Sequence, residues 1–326
     1  MKRWEYMAWA GVLIVCLAAG VGLGRWAAPQ PLIGVVRFDA VIDLDTSALL
    51  VDLLEKTRQD PRIAAVVIEV SSPGGLATSS ESVFYTMLRL RAEKPLVVVV
   101  DGQALSGGYY MAAAGSRIYA PASSYIGNIG TRGSRPSDPY ITPDEMSSGP
   151  YKLSGGSRFD RIYQLNLVAE AFINNVMAQR LNSPVNPLRL DKRTIQEARI
   201  YLGSEAVAVG LIDAEGGRSD AILGAGELAG LRRYSVVDLL DYFKFSTVGT
   251  TEYAAAVKSM VETAPPDAVF LLDSRLALPG VQESSAVLDH MLRLRQASPS
   301  RISAGDDVAP ILPESAPVQP ATGEGS

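Results

Sequence analysis

Four valines in succession, Val97, Val98, Val99 and Val100, sit in an apolar run over residues 95–100. β-Branched side chains are stiff and favour extended backbone, and a run with no polar alternation must be covered on both faces. That condition is met by a central strand in an α/β protein, packed between helices. The apolar runs over 32–38 and 64–70 read the same way. Amphipathic segments separate them. Leu49, Leu50, Leu53 and Leu54 make one apolar face within 47–59, and Val83, Phe84, Met87 and Leu88 make another within 78–93. After a Gly/Ser/Pro-rich stretch over 127–157, Leu165, Val168, Phe172 and Val176 predict a long helix over 158–181. Strands and helices in alternation predict an α/β fold.

The ends of the chain differ from this middle. Residues 6–24 carry no charge, and a helix of that length approaches the ~30 Å of a bilayer core. The sequence therefore predicts a transmembrane anchor over 6–25, in preference to a cleaved signal peptide, because Arg25-Trp26-Ala27-Ala28-Pro29 is a poor small-x-small cleavage site. Lys2 and Arg3 put residues 1–5 in the cytoplasm under the positive-inside rule. The expectation is a single-pass protein of the cell membrane, with a linker over 26–31 and everything after it on the extracytoplasmic side. At the other end, 298–326 has no aromatic residue and recurring prolines at Pro299, Pro310, Pro313, Pro317 and Pro320, and reads as a disordered tail. This leaves one α/β domain over 32–235 and an extension over 236–297. The extension contains a helix-like stretch over 253–262 and the apolar Val269-Phe270-Leu271-Leu272, with assembly as its expected role.

Composition narrows the chemistry. The 326 residues include one histidine, His290, and one cysteine, Cys16. A Ser-His-Asp triad, a Cys-His pair or a histidine-based metal site would need His290, which lies in a helix-like stretch just before the tail. One cysteine can form neither an internal disulfide nor a Cys-x-x-Cys centre. The net charge of -5 gives no electrostatic reason to expect nucleic acid as a partner.

Two glycine-rich turns follow predicted strands. Ser72-Pro73-Gly74-Gly75 can turn sharply and present free N–H groups to an anion, but it lacks the Lys-Ser/Thr pair of a phosphate-binding loop. Asp101-Gly102-Gln103-Ala104-Leu105-Ser106-Gly107-Gly108 again ends a strand and opens a helix. Taken alone, Ser106 reads as a helix N-cap. Beside a second Gly-Gly turn, it also fits a nucleophile held at a strand-to-helix turn, with the following N–H free to meet an oxyanion. Such a serine needs a base, and lysine can serve if burial keeps its amine neutral. Of the seven lysines, Lys2 flanks the anchor, while Lys56, Lys94, Lys192, Lys244 and Lys258 have acidic neighbours typical of solvated charges. Lys152 is the one charged residue within 146–157; in isolation it reads as a solvated loop lysine, and it becomes the preferred base only because Ser106 requires one.

These motifs resemble the signal peptide peptidase A family, the Ser-Lys peptidases of the Clp/crotonase-like superfold. The resemblance runs from about Ile33 to Leu231. It also includes Ile126-Gly127-Asn128-Ile129-Gly130, Tyr201-Leu202-Gly203-Ser204-Glu205-Ala206 and Gly210-Leu211-Ile212-Asp213. It implies an α/β domain of stacked ββα units, no cofactor or metal, Ser106 as nucleophile and Lys152 as general base. The implied oxyanion donors are the backbone N–H groups of Gly75 and Gly107. Asn128 stands where many members have a serine that holds the lysine amine, and its side-chain oxygen can accept the same hydrogen bond. The segment 128–152 is shorter than in typical members, and Leu153 replaces an aspartate. The resemblance further implies a homo-oligomer with active sites shared between subunits.

The resulting expectation is a membrane-anchored serine endopeptidase that acts through an acyl-enzyme on signal-peptide remnants or other extended apolar peptides, most active at neutral to alkaline pH. The alternative is a non-catalytic peptide-binding or scaffold protein of the cell envelope with a degenerate site. An acyl-CoA enzyme of the crotonase type is a third reading, disfavoured by the expected extracytoplasmic location.

Overall fold

Alternation of buried strands with covering helices is carried through the chain in the computed structural model, which describes residues 3–27, 29–133, 148, 158–245, 253–264 and 268–273. The chain divides into two units, Met1–Val281 and Gln282–Ser326, and the described residues belong to the first. In chain order, the first elements are α1 (Arg3–Ala27), β1 (Leu32–Asp39), α2 (Leu44–Gln59), β2 (Ile63–Ser72) and β3 (Gly74–Leu76). There follow α3 (Ala77–Glu93), β4 (Leu96–Leu105), α4 (Gly107–Ala113), β5 (Arg117–Ala120), β6 (Tyr125–Gly127) and β7 (Arg132–Gly133). Next come α5 (Arg158–Arg180), α6 (Lys192–Gln196), β8 (Ile200–Leu202), α7 (Gly203–Val209), β9 (Ala214–Glu215) and α8 (Arg218–Leu228). The last described elements are β10 (Ser235–Asp238), α9 (Leu239–Phe243), α10 (Tyr253–Thr263) and β11 (Val269–Leu272).

The main sheet has the order β10-β1-β2-β4-β5-β9, and its pairs are parallel. β6 extends the sheet beside the end of β4, with Gln103 opposite Tyr125 and Leu105 opposite Gly127, and pairs antiparallel with β8. The valine run is buried on both faces, as its composition requires. Val66, Ile68, Val70, Val98 and Val100 face a core completed by α2, α3, α4 and α5. Ala65, Val67, Val97 and Val99 point the other way and pack with Ala221 and Ala225 of α8. Within the larger core Phe84, Tyr110 and Phe172 form a continuous aromatic stack with centroid spacings of 4.4 and 4.5 Å, tying α3, α4 and α5 together.

Local chemistry sets the element ends. The Asp43 carboxylate accepts the Thr46 N–H at 2.8 Å while the Thr46 hydroxyl accepts the Asp43 N–H at 3.0 Å, a reciprocal cap that starts α2. Lys94 closes the same helix. Its amine donates to the Thr57 carbonyl at 2.7 Å and the Asp60 carbonyl at 2.5 Å, and burial lowers its pKa. It is therefore a structural residue rather than the solvated charge its acidic neighbours suggest.

A second, smaller sheet has the order β3-β11-β7, antiparallel at both pairs. β10 crosses the boundary expected at 235 and joins the main sheet beside β1. The tail over 298–326 and His290 lie outside the described residues.

The expectation of a transmembrane anchor over 6–25 is corrected. α1 does form, but among the described residues no helix is long and apolar enough to cross a membrane. The membrane-anchored mechanism, the bilayer as a partner through 6–25, the single-pass topology and the extracytoplasmic placement all rested on that anchor and fall with it.

Candidate active site

β4 ends at Leu105 and α4 begins at Gly107, so Ser106 occupies the turn between them. Its backbone has φ 52° and ψ −118°, a conformation that L-residues with a side chain adopt at a cost. Two hydrogen bonds hold it there. The Ser106 N–H donates to the Gly127 carbonyl at 2.8 Å, and the Tyr110 N–H donates to the Ser106 carbonyl at 2.9 Å. The Ser106 side chain is fully buried, and its Oγ has no hydrogen-bond partner among the described residues. A buried hydroxyl without a partner is uncommon, because desolvation is left uncompensated.

The turn after β2 lies against this serine. Gly74 has φ 96°, and a Cβ there would stand 2.8 Å from the Gly107 nitrogen, so the two glycine turns are in direct contact. Ser72 fixes the approach, donating its hydroxyl to the Ala40 carbonyl at 2.7 Å and accepting the Gly74 N–H at 3.2 Å. The Gly74 carbonyl accepts the Ile42 N–H at 2.9 Å, and the Leu76 N–H donates to the Ile42 carbonyl at 2.8 Å. Since Ile42 takes the groups on either side of Gly75, the N–H and C=O of Gly75 itself point the opposite way, towards β11. A Cβ on Gly75 would overlap the Ile42 carbonyl. Ser80 backs Gly107 from α3, its hydroxyl donating to the Leu76 carbonyl at 2.8 Å. No sequence signal marks Ser80, whereas Ser72 belongs to the Ser-Pro-Gly-Gly motif without its role being legible there.

Asn128 closes another side. It has φ 53°, its N–H donates to the Arg199 carbonyl at 2.8 Å, and its Nδ2 donates to the Ala198 carbonyl at 2.8 Å. With the amide nitrogen so engaged, Oδ1 is the atom of this side chain able to accept from an amine. The structure thus brings Ser106, Gly75, Gly107 and Asn128 into one neighbourhood. Lys152 lies outside the described residues. Among the described residues, no group of three or more His, Cys, Asp or Glu could hold a metal ion.

The later motifs are structural. The Asp213 carboxylate accepts the Ile118 N–H at 2.7 Å and the Ser183 hydroxyl at 2.7 Å, and pairs with Arg180 at 2.9 Å in a buried site. Tyr109, next to the Gly-Gly turn, donates to the Leu211 carbonyl at 2.7 Å, and complete burial pushes its phenol well above the usual range. Glu205 caps its own helix through the Leu202 N–H at 2.9 Å.

The α/β sheet thus presents a strained serine at a strand-to-helix turn, against a second glycine turn. The model of peptidase family S49 matches residues 89–137, which contain Ser106. Protease 4 of Salmonella typhi is 30% identical over 205 residues, covering 59% of this chain and 32% of that protein. A relative from Synechocystis sp. is 30% identical over 190 residues, covering 54% of this chain and 67% of the relative. A relative from Methanocaldococcus jannaschii is 27% identical over 201 residues, covering 58% and 63%. The solved structure of a membrane-bound stomatin-specific protease mutant is 18% identical, with a TM-score of 0.41, covering 69% of this chain and 98% of that one. The chain belongs to peptidase family S49. It spans about a third of the Salmonella protein's length.

Proposed function

We propose that the chain is a serine peptidase that hydrolyses extended peptides through an acyl-enzyme on Ser106. The supporting observation is the Ser106 hydroxyl, buried and without a hydrogen-bond partner among the described residues, on a strained turn against Gly74 and Gly75. A position that costs conformational energy and leaves a polar atom unpaired is poor design for packing and good design for a nucleophile. Family membership supports peptide hydrolysis, and β3 and β7 each pair antiparallel with an extended strand, β11, the backbone geometry in which a peptide substrate would lie.

In this reading the neutral amine of Lys152 takes the Ser106 proton as Oγ bonds to the peptide carbonyl carbon. The carbonyl oxygen becomes an oxyanion facing the N–H groups of Gly75 and Gly107. Collapse breaks the C–N bond, and the proton held by Lys152 passes to the leaving amine. Water, deprotonated by the same lysine, then attacks the ester and frees Ser106. Asn128 Oδ1 holds the amine in line. Because the amine must be neutral to accept a proton, activity rises with pH.

The test is hydrolysis of an apolar peptide and covalent labelling by a fluorophosphonate, in wild type, Ser106→Ala and Lys152→Ala. The reading expects loss of both signals in Ser106→Ala and a fall of at least about 100-fold in hydrolysis for Lys152→Ala. Hydrolysis retained by Ser106→Ala would sink it.

A further inference from the structure

The peptide edge beside Ser106 is already occupied by the chain itself. β11 is the middle strand of the small sheet, antiparallel to β3 with Leu271 opposite Gly75, and antiparallel to β7 with Phe270 opposite Arg132. β3 carries the glycine turn of the site, and β7 follows the Asn128 segment. The Gly75 N–H, a candidate oxyanion donor, is directed at Leu271. A Cβ on Gly74 would overlap the Leu271 carbonyl oxygen, and a Cβ on Gly107 would stand 3.1 Å from it. One backbone carbonyl of β11 therefore lies over both glycine turns, the region a reacting peptide carbonyl has to enter.

The occupant is fastened at each end and on both faces. Arg161 donates to the Ala268 carbonyl at 2.9 Å, and Arg132 donates to the Asp273 carbonyl at 2.9 Å. The Asp273 N–H donates to the Pro73 carbonyl at 2.7 Å. Phe270 and Leu272 pack with Val41, Leu76, Val257 and Met260, while Leu271 points into the large core. With β11 in place, Ser106 is 0% exposed, and no peptide can reach its hydroxyl.

We propose that α10 and β11 form an autoinhibitory strap, in which β11 holds the peptide-binding edge as a substrate would and must leave β3 and β7 before Ser106 can act. The proposal rests on the peptidase reading above. Exchange of one strand for another keeps the backbone hydrogen bonds of β3 and β7 satisfied in both states, so a peptide substitutes for the strap at little cost in unpaired groups.

The experiment separates closure from catalysis. In a full-length Cys16→Ser, Ser106→Cys chain, the rate at which a small disulfide reagent modifies residue 106 reports access without any turnover. Adding Phe270→Asp and Leu272→Asp, with the fold monitored by near-ultraviolet circular dichroism, is expected to raise that rate at least about 10-fold. The synthetic peptide Ala-Val-Phe-Leu-Leu-Asp, matching 268–273, is expected to restore protection. Equal rates in a folded strap variant overturn the proposal. Hydrogen exchange on the unmutated chain gives a second reading. The amides of 269–272 are expected to exchange by an opening easier than that of β2 and β4, and exchange together with those strands overturns the strap. With Ser106 intact, hydrolysis of an apolar peptide is expected to rise in parallel with access. Access that rises without hydrolysis leaves the strap standing and counts against the peptidase reading.

Discussion

Ser106 is held at φ 52° by the Gly127 carbonyl on one side and the first turn of α4 on the other. Glycine adopts such angles without penalty, whereas a side chain there costs of order 1–3 kcal/mol, partly offset by glycine's greater entropy loss on folding. Ser106→Gly is therefore expected to be about 1 kcal/mol more stable than Ser106→Ala in urea denaturation, with neither active. Equal stabilities would remove the strain from the account. Glu69 gives a second prediction. It is 5% exposed, and burial raises its pKa against the opposing pull of Arg218 and Arg37. Arg218 Nε lies 3.0 Å from Oε1 but without hydrogen-bond alignment. A carboxyl whose folded pKa exceeds its unfolded value of about 4.3 contributes stability that is present below that value. The contribution is lost as pH rises through the folded pKa. Glu69→Gln should thus gain on wild type in unfolding free energy as pH goes from 4 to 7, and a constant gap would refute the sign. Ser106 stood out in the sequence because it lies at one of two Gly-Gly turns, while the chain's one histidine, His290, is remote in sequence. Sequence misplaced Lys94, because acidic neighbours in sequence say nothing of the Thr57 and Asp60 carbonyls that fold onto its amine.

Among the elements, legibility follows the range of the interactions. β1, β2 and β4 were readable as local apolar runs, and α2, α3 and α5 as local amphipathic periods, since each declares in its own residues which faces it buries. The small sheet was not readable. Val269-Phe270-Leu271-Leu272 reads as an apolar strand, but its partners are two or three residues each and remote in sequence, too short to carry a pattern. The Gly210-Leu211-Ile212-Asp213 segment was legible as a motif but not in its role. Asp213 joins β5, the end of α5 and its own turn by accepting from Ile118, Ser183 and Arg180. Removing one partner of a buried pair leaves the other charge unpaired, and Asp213→Ala is expected to cost about 3–5 kcal/mol in denaturant unfolding. Its effect on hydrolysis per folded molecule is expected to be small, because the pair does not touch Ser106. A loss of turnover without loss of stability would move Asp213 into the site.

For the molecule as a whole, stability and site both belong to the sheet and its covering helices, while α1 stands apart in its chemistry. Its described apolar side chains, among them Trp4, Trp9, Leu13, Ile14 and Leu17, are exposed. An uncharged run looks the same in sequence whether it crosses a bilayer or forms an exposed helix, and this is why the anchor was expected from 6–25. Side chains that bury nothing against the α/β unit contribute nothing to its unfolding free energy, although they add an apolar surface that favours association. Deleting residues 1–28 is accordingly expected to leave the melting temperature of the remaining chain within about 2 °C, the scale of a surface change of under ~0.5 kcal/mol. The deletion is also expected to reduce self-association measured by sedimentation and to leave fluorophosphonate labelling of Ser106 unchanged. A fall in melting temperature beyond that range would mean that α1 packs against the α/β unit in solution.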